Sequence, residues 1–388
     1  MKQDNEHIPE GYKNSPLGVI PEGWKVKRLG EICPVFKSGH SITSQRIFEQ
    51  EQYPVYGGNG LRGYTNTYTH NGKYILIGRQ GALCGNINFV DGEIYISEHA
   101  IAVQPNAKNN IKFLMYKLDF WKLNRYSESS AQPGLSVEKL IKYRIALPPL
   151  PEQKKVAEIL STWDEAIERQ SKLIDALTLR KRGLMQQLLS GKKRFMDFTG
   201  KLYVKHFRDL FLERNETHRE NLPLLSITAD RGVILQSESD KRDISNNDKS
   251  KYKRICSNDI GYNTMRMWQG RSALSSMEGI VSPAYTIITP KESVHPLYMA
   301  MLCKQPRVVY DFWTHSQGLV SDTLNCKFLD FGQVKVSIPT FAEQTVIAER
   351  LTTADIEIEL AKQKLSHLRN QKRGLMQQLL TGKKRVKL

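Results

Sequence analysis

One stretch of this 388-residue chain occurs twice. Residues 180–194 read RKRGLMQQLLSGKKR and residues 371–385 read QKRGLMQQLLTGKKR, identical at thirteen of fifteen positions at an offset of 191. The same ungapped offset brings Leu147-Pro148-Pro149-Leu150-Pro151-Glu152-Gln153 onto Ile338-Pro339-Thr340-Phe341-Ala342-Glu343-Gln344. Residues 147–194 and 338–385 are therefore two copies of one element. The period is far too long for a solenoid. It marks a duplicated half-molecule.

Each copy reads as one long helix. In the first, Val156, Leu160, Trp163, Ile167, Gln170, Ile174, Leu177, Lys181, Leu184 and Leu188 fall alternately four and three apart. The second repeats the spacing from Ile347, Leu351 and Ala354 to Leu375 and Leu379. This is the a/d seam of a coiled coil. Prolines 148, 149 and 151 block helix upstream, and Glu152 suits the positive helix start. Gly191 and Gly382 follow the last apolar turn as C-cap glycines, with basic residues at the negative end. From Glu152 to Ser190 such a helix runs roughly 58 Å at ~1.5 Å per residue. Two matched apolar seams in one chain are satisfied by packing on each other, antiparallel, with a pseudo-two-fold axis. Lys181 and Lys372 sit at matching seam positions, where they either snorkel to solvent or help set register.

Composition narrows the function. The formal charge is +17, from 57 Lys+Arg against 40 Asp+Glu. The excess is spread along the chain, as suits a long polyanion lying across several parts of the molecule. No apolar run approaches the ~18 residues that span a bilayer, and the polar start lacks a signal-peptide pattern. The five cysteines form no C-x-x-C pair, so reduced thiols in a cytoplasmic protein are expected.

The two intervening regions read as unlike α+β domains. In residues 21–147, Tyr74–Ile77, Ile94–Ile96 and Ala100–Val103 read as strands and Ile111–Leu123 as a helix. In residues 222–338, Ile280-Val281 and Ala284–Ile288 read as strands, followed by a helix near Leu297–Lys304. Each domain ends in a strand that feeds a long helix. The expected order is an arm (1–20), a first domain (21–147), a first long helix (148–194), a charged connector (195–221), a second domain (222–338) and a second long helix (339–385).

Catalytic patterns are missing. Gly58-Asn59-Gly60-Leu61-Arg62-Gly63 matches G-x-G-x-x-G, but a β-like run follows it where a dinucleotide site needs a helix. A glycine loop that lets backbone or Arg62 approach a ligand is the better reading. There is no P-loop, no H-E-x-x-H and no N-P-P-Y or D-P-P-Y. Glu98-His99 is the nearest approach to a dyad and reads as a structural histidine. No catalysis and no cofactor of the chain's own are expected, and no metal.

DNA-reading residue types do cluster. Lys37, Arg46, Asn59, Arg62, Arg79 and Gln80 lie near glycines or turns in the first domain. Arg254, Asn263, Arg266, Trp268, Gln269 and Arg271 crowd a short segment of the second. Arg pairs bidentately with guanine, and Asn or Gln with adenine, in the major groove. Packing alone tolerates any change that keeps volume and apolarity. The residue-for-residue match of Arg182, Met185, Gln186 and Gln187 with Arg373, Met376, Gln377 and Gln378 therefore reflects either recent duplication with little drift or, as the unlike domains favour, two copies of one partner docking there.

The order of parts resembles the specificity subunit of type I restriction–modification systems. The resemblance is carried by Ile20-Pro21-Glu22-Gly23-Trp24, by Tyr53-Pro54-Val55-Tyr56-Gly57-Gly58-Asn59-Gly60, by Ile77-Gly78-Arg79-Gln80-Gly81, by Tyr262–Gly270, and by the two E-Q-headed helices ending KRGLMQQLL. Thr340-Phe341-Ala342 departs from the family's proline-rich approach. The resemblance implies two target-recognition domains, each reading one half of a bipartite DNA site, joined by two long antiparallel coiled-coil helices that set the gap. It implies two docked modification (methyltransferase) subunits and motor-nuclease restriction subunits, in host defence against phage. S-adenosylmethionine, ATP and magnesium would belong to those partners. A stand-alone pseudo-dimeric DNA-binding regulator is the alternative.

Overall fold

A computed structural model describes residues 8–127, 133–228, 231–239, 247–319 and 323–387. The chain divides into two units, Met1–Ser171 with Gln363–Leu388, and Lys172–Lys362.

The long helices span Leu150–Leu189 and Phe341–Leu379. Both start two residues before the glutamate expected to head them. Pro151 lies in the first turn, where its missing N–H costs no hydrogen bond. The Thr340-Phe341-Ala342 departure leaves the start at the equivalent residue. Both helices end as expected, with Gly191 at φ 71° and Gly382 at φ 76°. Lys193 N–H donates to Gln187 O and Lys384 N–H to Gln378 O, closing the last turns.

Every seam position is buried or half-buried. In the first unit Val156, Ala157 and Leu160 share a core with Met376, Leu379 and Leu380. In the second, Leu188 and Leu189 share one with Ile347, Ala348 and Leu351. Within each unit the early turns of one helix thus lie beside the last turns of the other, antiparallel. The seam lysines set register: Lys372 pairs with Asp164 in the first unit and Lys181 with Asp355 in the second. These are the same two positions of the repeat, exchanged.

The paired Glu-Gln at each helix head is explained by what it touches. Glu152 is buried, and Arg385 donates to both its oxygens at 2.6 and 2.7 Å. In the second unit Arg194 grips buried Glu343 in the same bidentate way, at 2.9 and 2.5 Å. Gln153 Nε2 donates to Pro148 O, and its Oε1 accepts from the N–H of Asn110, the N-cap of helix Ile111–Trp121. Gln344 does likewise with Pro339 O and with His295, the N-cap of helix Pro296–Leu302. Each glutamine satisfies one orphan helix-start donor and ties a domain to its long helix.

The two domains, unlike in sequence, each contain a four-stranded sheet of the same strand arrangement. In the first unit, strands Val35–Ser38, Ala100–Gln104, Tyr74–Gly78 and Ile87–Val90 lie side by side in that order, all antiparallel. In the second, Phe211–Glu213, Tyr285–Pro290, Ile260–Asn263 and Ser272–Leu274 repeat the order and the sense. Strand Tyr74–Gly78 is buried on both faces. Ile75 and Ile77 face helix residues Phe113 and Leu114. Tyr74 and Leu76 face Val90, Ile94 and Ile96. The second sheet of that unit runs Gly60–Thr65, Tyr53–Gly57, Glu93–Ile96, His70–Asn71.

Two expectations change here. Residues 195–221 are no mere connector: Tyr203–His206 pairs with Lys335–Ile338, and Phe211–Glu213 is a sheet edge. Phe207 and Phe211 are fully buried in the second core. Helix Pro306–His315 was not expected. Its proline start and the buried pair Val308 and Phe312 were the available signals.

Candidate nucleic-acid interface

In the first unit three glycine-bearing segments converge on one β-turn. Gly58 and Asn59 form the two-residue loop of the hairpin between Tyr53–Gly57 and Gly60–Thr65. The turn itself is Ser97–Ala100, closed by Ala100 N–H to Ser97 O at 3.0 Å. Tyr56 O accepts from Ser97 N–H, His40 O from Glu98 N–H, and His99 O from Arg79 N–H. A Cβ on Gly58 would stand 2.7 Å from His99 O, and one on Gly39 would strike the carbonyls of Ile96 and Ser97. Only hydrogen fits at these positions. The glycines thus let three backbone segments close on the turn, and Gly57 makes room for the stem of Arg62. Asn59, Arg62 and Gln80 are exposed around this junction and Arg79 is half-buried. Gln80 Oε1 lies 3.4 Å from His99 Nδ1. Lys37 is exposed on strand Val35–Ser38, and Arg46, on the turn Ser44–Arg46, donates to Thr67 Oγ1 at 3.3 Å.

In the second unit the segment 263–271 is a built loop. Asn263 Oδ1 accepts from Met265 N–H, and Trp268 Nε1 donates to Met265 O. Met267 is buried beneath the loop with Val308 and Phe312 of the unexpected helix. Gly270, at φ 72°, lies against that helix, 3.1 Å from Val309 Cγ2 by its Cβ position. Asn263 and Trp268 thus hold the loop's shape. Arg266, Gln269 and Arg271 are exposed, with no side-chain partner among the described residues. The helix adds Tyr310 and Trp313, exposed with ring centroids 5.5 Å apart. Arg254 stands apart: its guanidinium is taken by Glu216 and Glu278, and these hydrogen bonds push its pKa further up. It braces strand Lys253–Ile255.

No group of three metal-ligating side chains is placed to hold an ion among the described residues. No described helix is long and apolar enough to cross a membrane. Burial pushes the Cys33, Cys303 and Cys326 thiols up to about 12, so they stay protonated at neutral pH.

Residues 21–179 match the type I restriction modification DNA specificity domain. The type I restriction enzyme EcoprrI specificity subunit of Escherichia coli is 41% identical over 144 residues, covering 36% of each chain. The type I restriction enzyme MjaVIII specificity subunit of Methanocaldococcus jannaschii is 23% identical across 97% of both. Residues 21–179 are thus similar to a type I DNA specificity domain, and nearly the whole chain to a type I specificity subunit. A crystal structure of the type I restriction–modification system S subunit from M. genitalium shares the fold of this chain, with TM-score 0.60 at 14% identity over 92% of this chain and 96% of that one.

The matched helix ends of this chain separate into two faces. Met376 is buried in the core of the first unit. Met185 packs against the core of the second, and its carbonyl accepts from Gln305. The methionines are therefore packing residues and not part of an exposed docking face. Arg182, Gln186 and Gln187 are exposed, as are Arg373, Gln377 and Gln378. Between them lie Gly183 and Gly374, where an added Cβ would meet nothing within 4 Å. A helix-interior glycine costs about 1 kcal/mol relative to alanine, and no packing inside the chain requires these two.

Proposed function

We propose that this chain is the non-catalytic DNA-reading subunit of a type I restriction–modification complex. Each unit reads one half of a bipartite duplex site. The exposed cations hold phosphates, and the loops around Asn59, Arg62, Arg79 and Gln80, and around Arg266, Gln269 and Arg271, meet base edges. The long helices set the gap between half-sites. Two modification subunits dock on the twin helix ends, and motor-nuclease subunits join through the assembled complex, in the cytoplasm. S-adenosylmethionine and ATP with magnesium belong to those partners.

The observation that carries this reading is the exposed set repeated at both helix ends: Arg182, Gln186 and Gln187 with their three counterparts, beside the open Gly183 and Gly374. It supports two equal docking sites for one partner. A stand-alone regulator has no use for it.

The decisive experiment is co-purification with modification subunits followed by mapping of methylated sites. Charge reversal at Arg182 and Arg373 together should abolish capture of the modification subunits while leaving the melting curve unchanged. Arg266→Ala, with helix ends intact, should relax one base position in one half-site by about tenfold or more, the other half-site unchanged. Undiminished capture by the double reversal contradicts the docking sites. An equal loss on every sequence marks Arg266 as a phosphate contact.

A further inference from the structure

We infer that Glu98 is a base-reading acceptor: it takes a hydrogen bond from an exocyclic amino group, cytosine N4 or adenine N6, in the half-site met by the first unit. The inference rests on the function proposed above and adds a specificity-determining residue to it.

Glu98 occupies a corner of the turn Ser97–Ala100. That turn is held from three sides by the backbone bonds to Tyr56, His40 and Arg79, and by glycines that leave no room for movement. Its position is thus preorganised, as a reading residue requires. The carboxylate is about one-third exposed, and its one ionisable neighbour within 4 Å among the described residues is the imidazole of His99, whose Nε2 lies 3.6 Å from Oε1. No lysine or arginine pairs with it. Its Oε2 and the neighbouring Ser97 Oγ are buried and accept no hydrogen bond, so the oxygen open to a group from outside is Oε1, which has only His99 Nε2 near it. The fold therefore leaves one acceptor of this carboxylate open at the surface.

A carboxylate is an acceptor with no proton to give. On a face that also carries Asn59, Arg62, Arg79 and Gln80, a carboxylate without a lysine or arginine partner repels phosphate and opposes binding. The charge is compatible with duplex only if it meets a donor there. In the major groove the donors are the amino groups of cytosine and adenine, whereas guanine and thymine present acceptors at the corresponding place. Glu98 then selects in two ways: it attracts an amino base and rejects a keto base on the same strand. His99, bridging Gln80 and Glu98, orients the carboxylate.

The test uses the full chain co-expressed with its modification subunits, with methylated sites mapped in genomic DNA. Glu98→Gln keeps the shape, removes the charge and adds a donor. The variant should admit the transition at one position of one half-site, T for C or G for A, with discrimination there falling about tenfold or more. The other half-site and the gap should be unchanged. A matching melting curve separates this from misfolding, and Glu98→Asp, which keeps the charge, should retain the base class. An unchanged motif in Glu98→Gln, or a loss spread evenly over all sequences, overturns the assignment. Failure of the wild-type complex to yield any bipartite motif would break the proposed function itself, which is a separate result.

Discussion

The two units use one ionic clamp and two different caps. Arg385 on Glu152 and Arg194 on Glu343 are the same pair of repeat positions in the same geometry. The reach from each domain helix into the last turns of the opposite long helix is not the same. In the first unit Lys117, buried against the ring of Trp24, donates to Leu380 O. In the second, Gln305 Nε2 donates to Met185 O at 3.3 Å. Burial lowers the Lys117 pKa to about 8, while an amide does not titrate. The clamp, the seam lysine pairs and the Gln153 and Gln344 ties recur in both units, whereas this reach is solved anew in each.

The largest effect that can break this comparison is in the seam. Leu160→Ala and Leu351→Ala remove equivalent, fully buried side chains, and each should cost about 3 kcal/mol by transfer and cavity terms. Hydrogen exchange of each unit reads the losses separately. A loss in one unit only would show that the two seams are not packed alike.

Next comes the clamp. Arg385→Ala leaves the Glu152 carboxylate buried without its cation, and should destabilise the first unit by about 2 kcal/mol, less than for a fully buried pair because Arg385 is 42% exposed. Arg194→Ala should act in the same direction on the second unit. Denaturant midpoints that do not move with either change would remove the clamp as the shared device.

The smallest effect sharpens the difference between the caps. Between pH ~8 and ~10.4 the unfolded chain holds a proton on Lys117 that the folded one has lost. Stability of the first unit should therefore rise with pH across that window. Lys117→Met should flatten the rise, and Gln305→Met should leave the pH profile of the second unit as it was. A wild-type profile already flat between pH 8 and 10 sinks this point.

Much of the frame was legible in the residues. The seam lists predicted which side chains of both long helices are covered, and Gly191 and Gly382 marked their ends. The strands around Tyr74, Ala100 and Tyr285 stand where their β-branched runs lie. The misreadings have two causes. Tyr203–Glu213 looked like a connector because its partners, Lys335–Ile338 and Tyr285–Pro290, are more than seventy residues away. Met376 looked like a docking residue because it is identical in both copies, and a packing position shared by two copies leaves the same trace. Arg254 looked free until Glu216 and Glu278 came beside it.

What the sequence determined alone is the duplicated helical frame: its period, its ends and its apolar stripe. Those follow from local rules, since a side chain's direction on a helix depends only on its place along the chain. The tertiary structure decided which surfaces the frame leaves open and which polar groups meet: the clamp at Glu152, the cap at Lys117, and the loops that carry Arg266 and Glu98. Those depend on burial and on charges brought together from distant segments, and no local spacing encodes a neighbour that arrives from elsewhere in the chain.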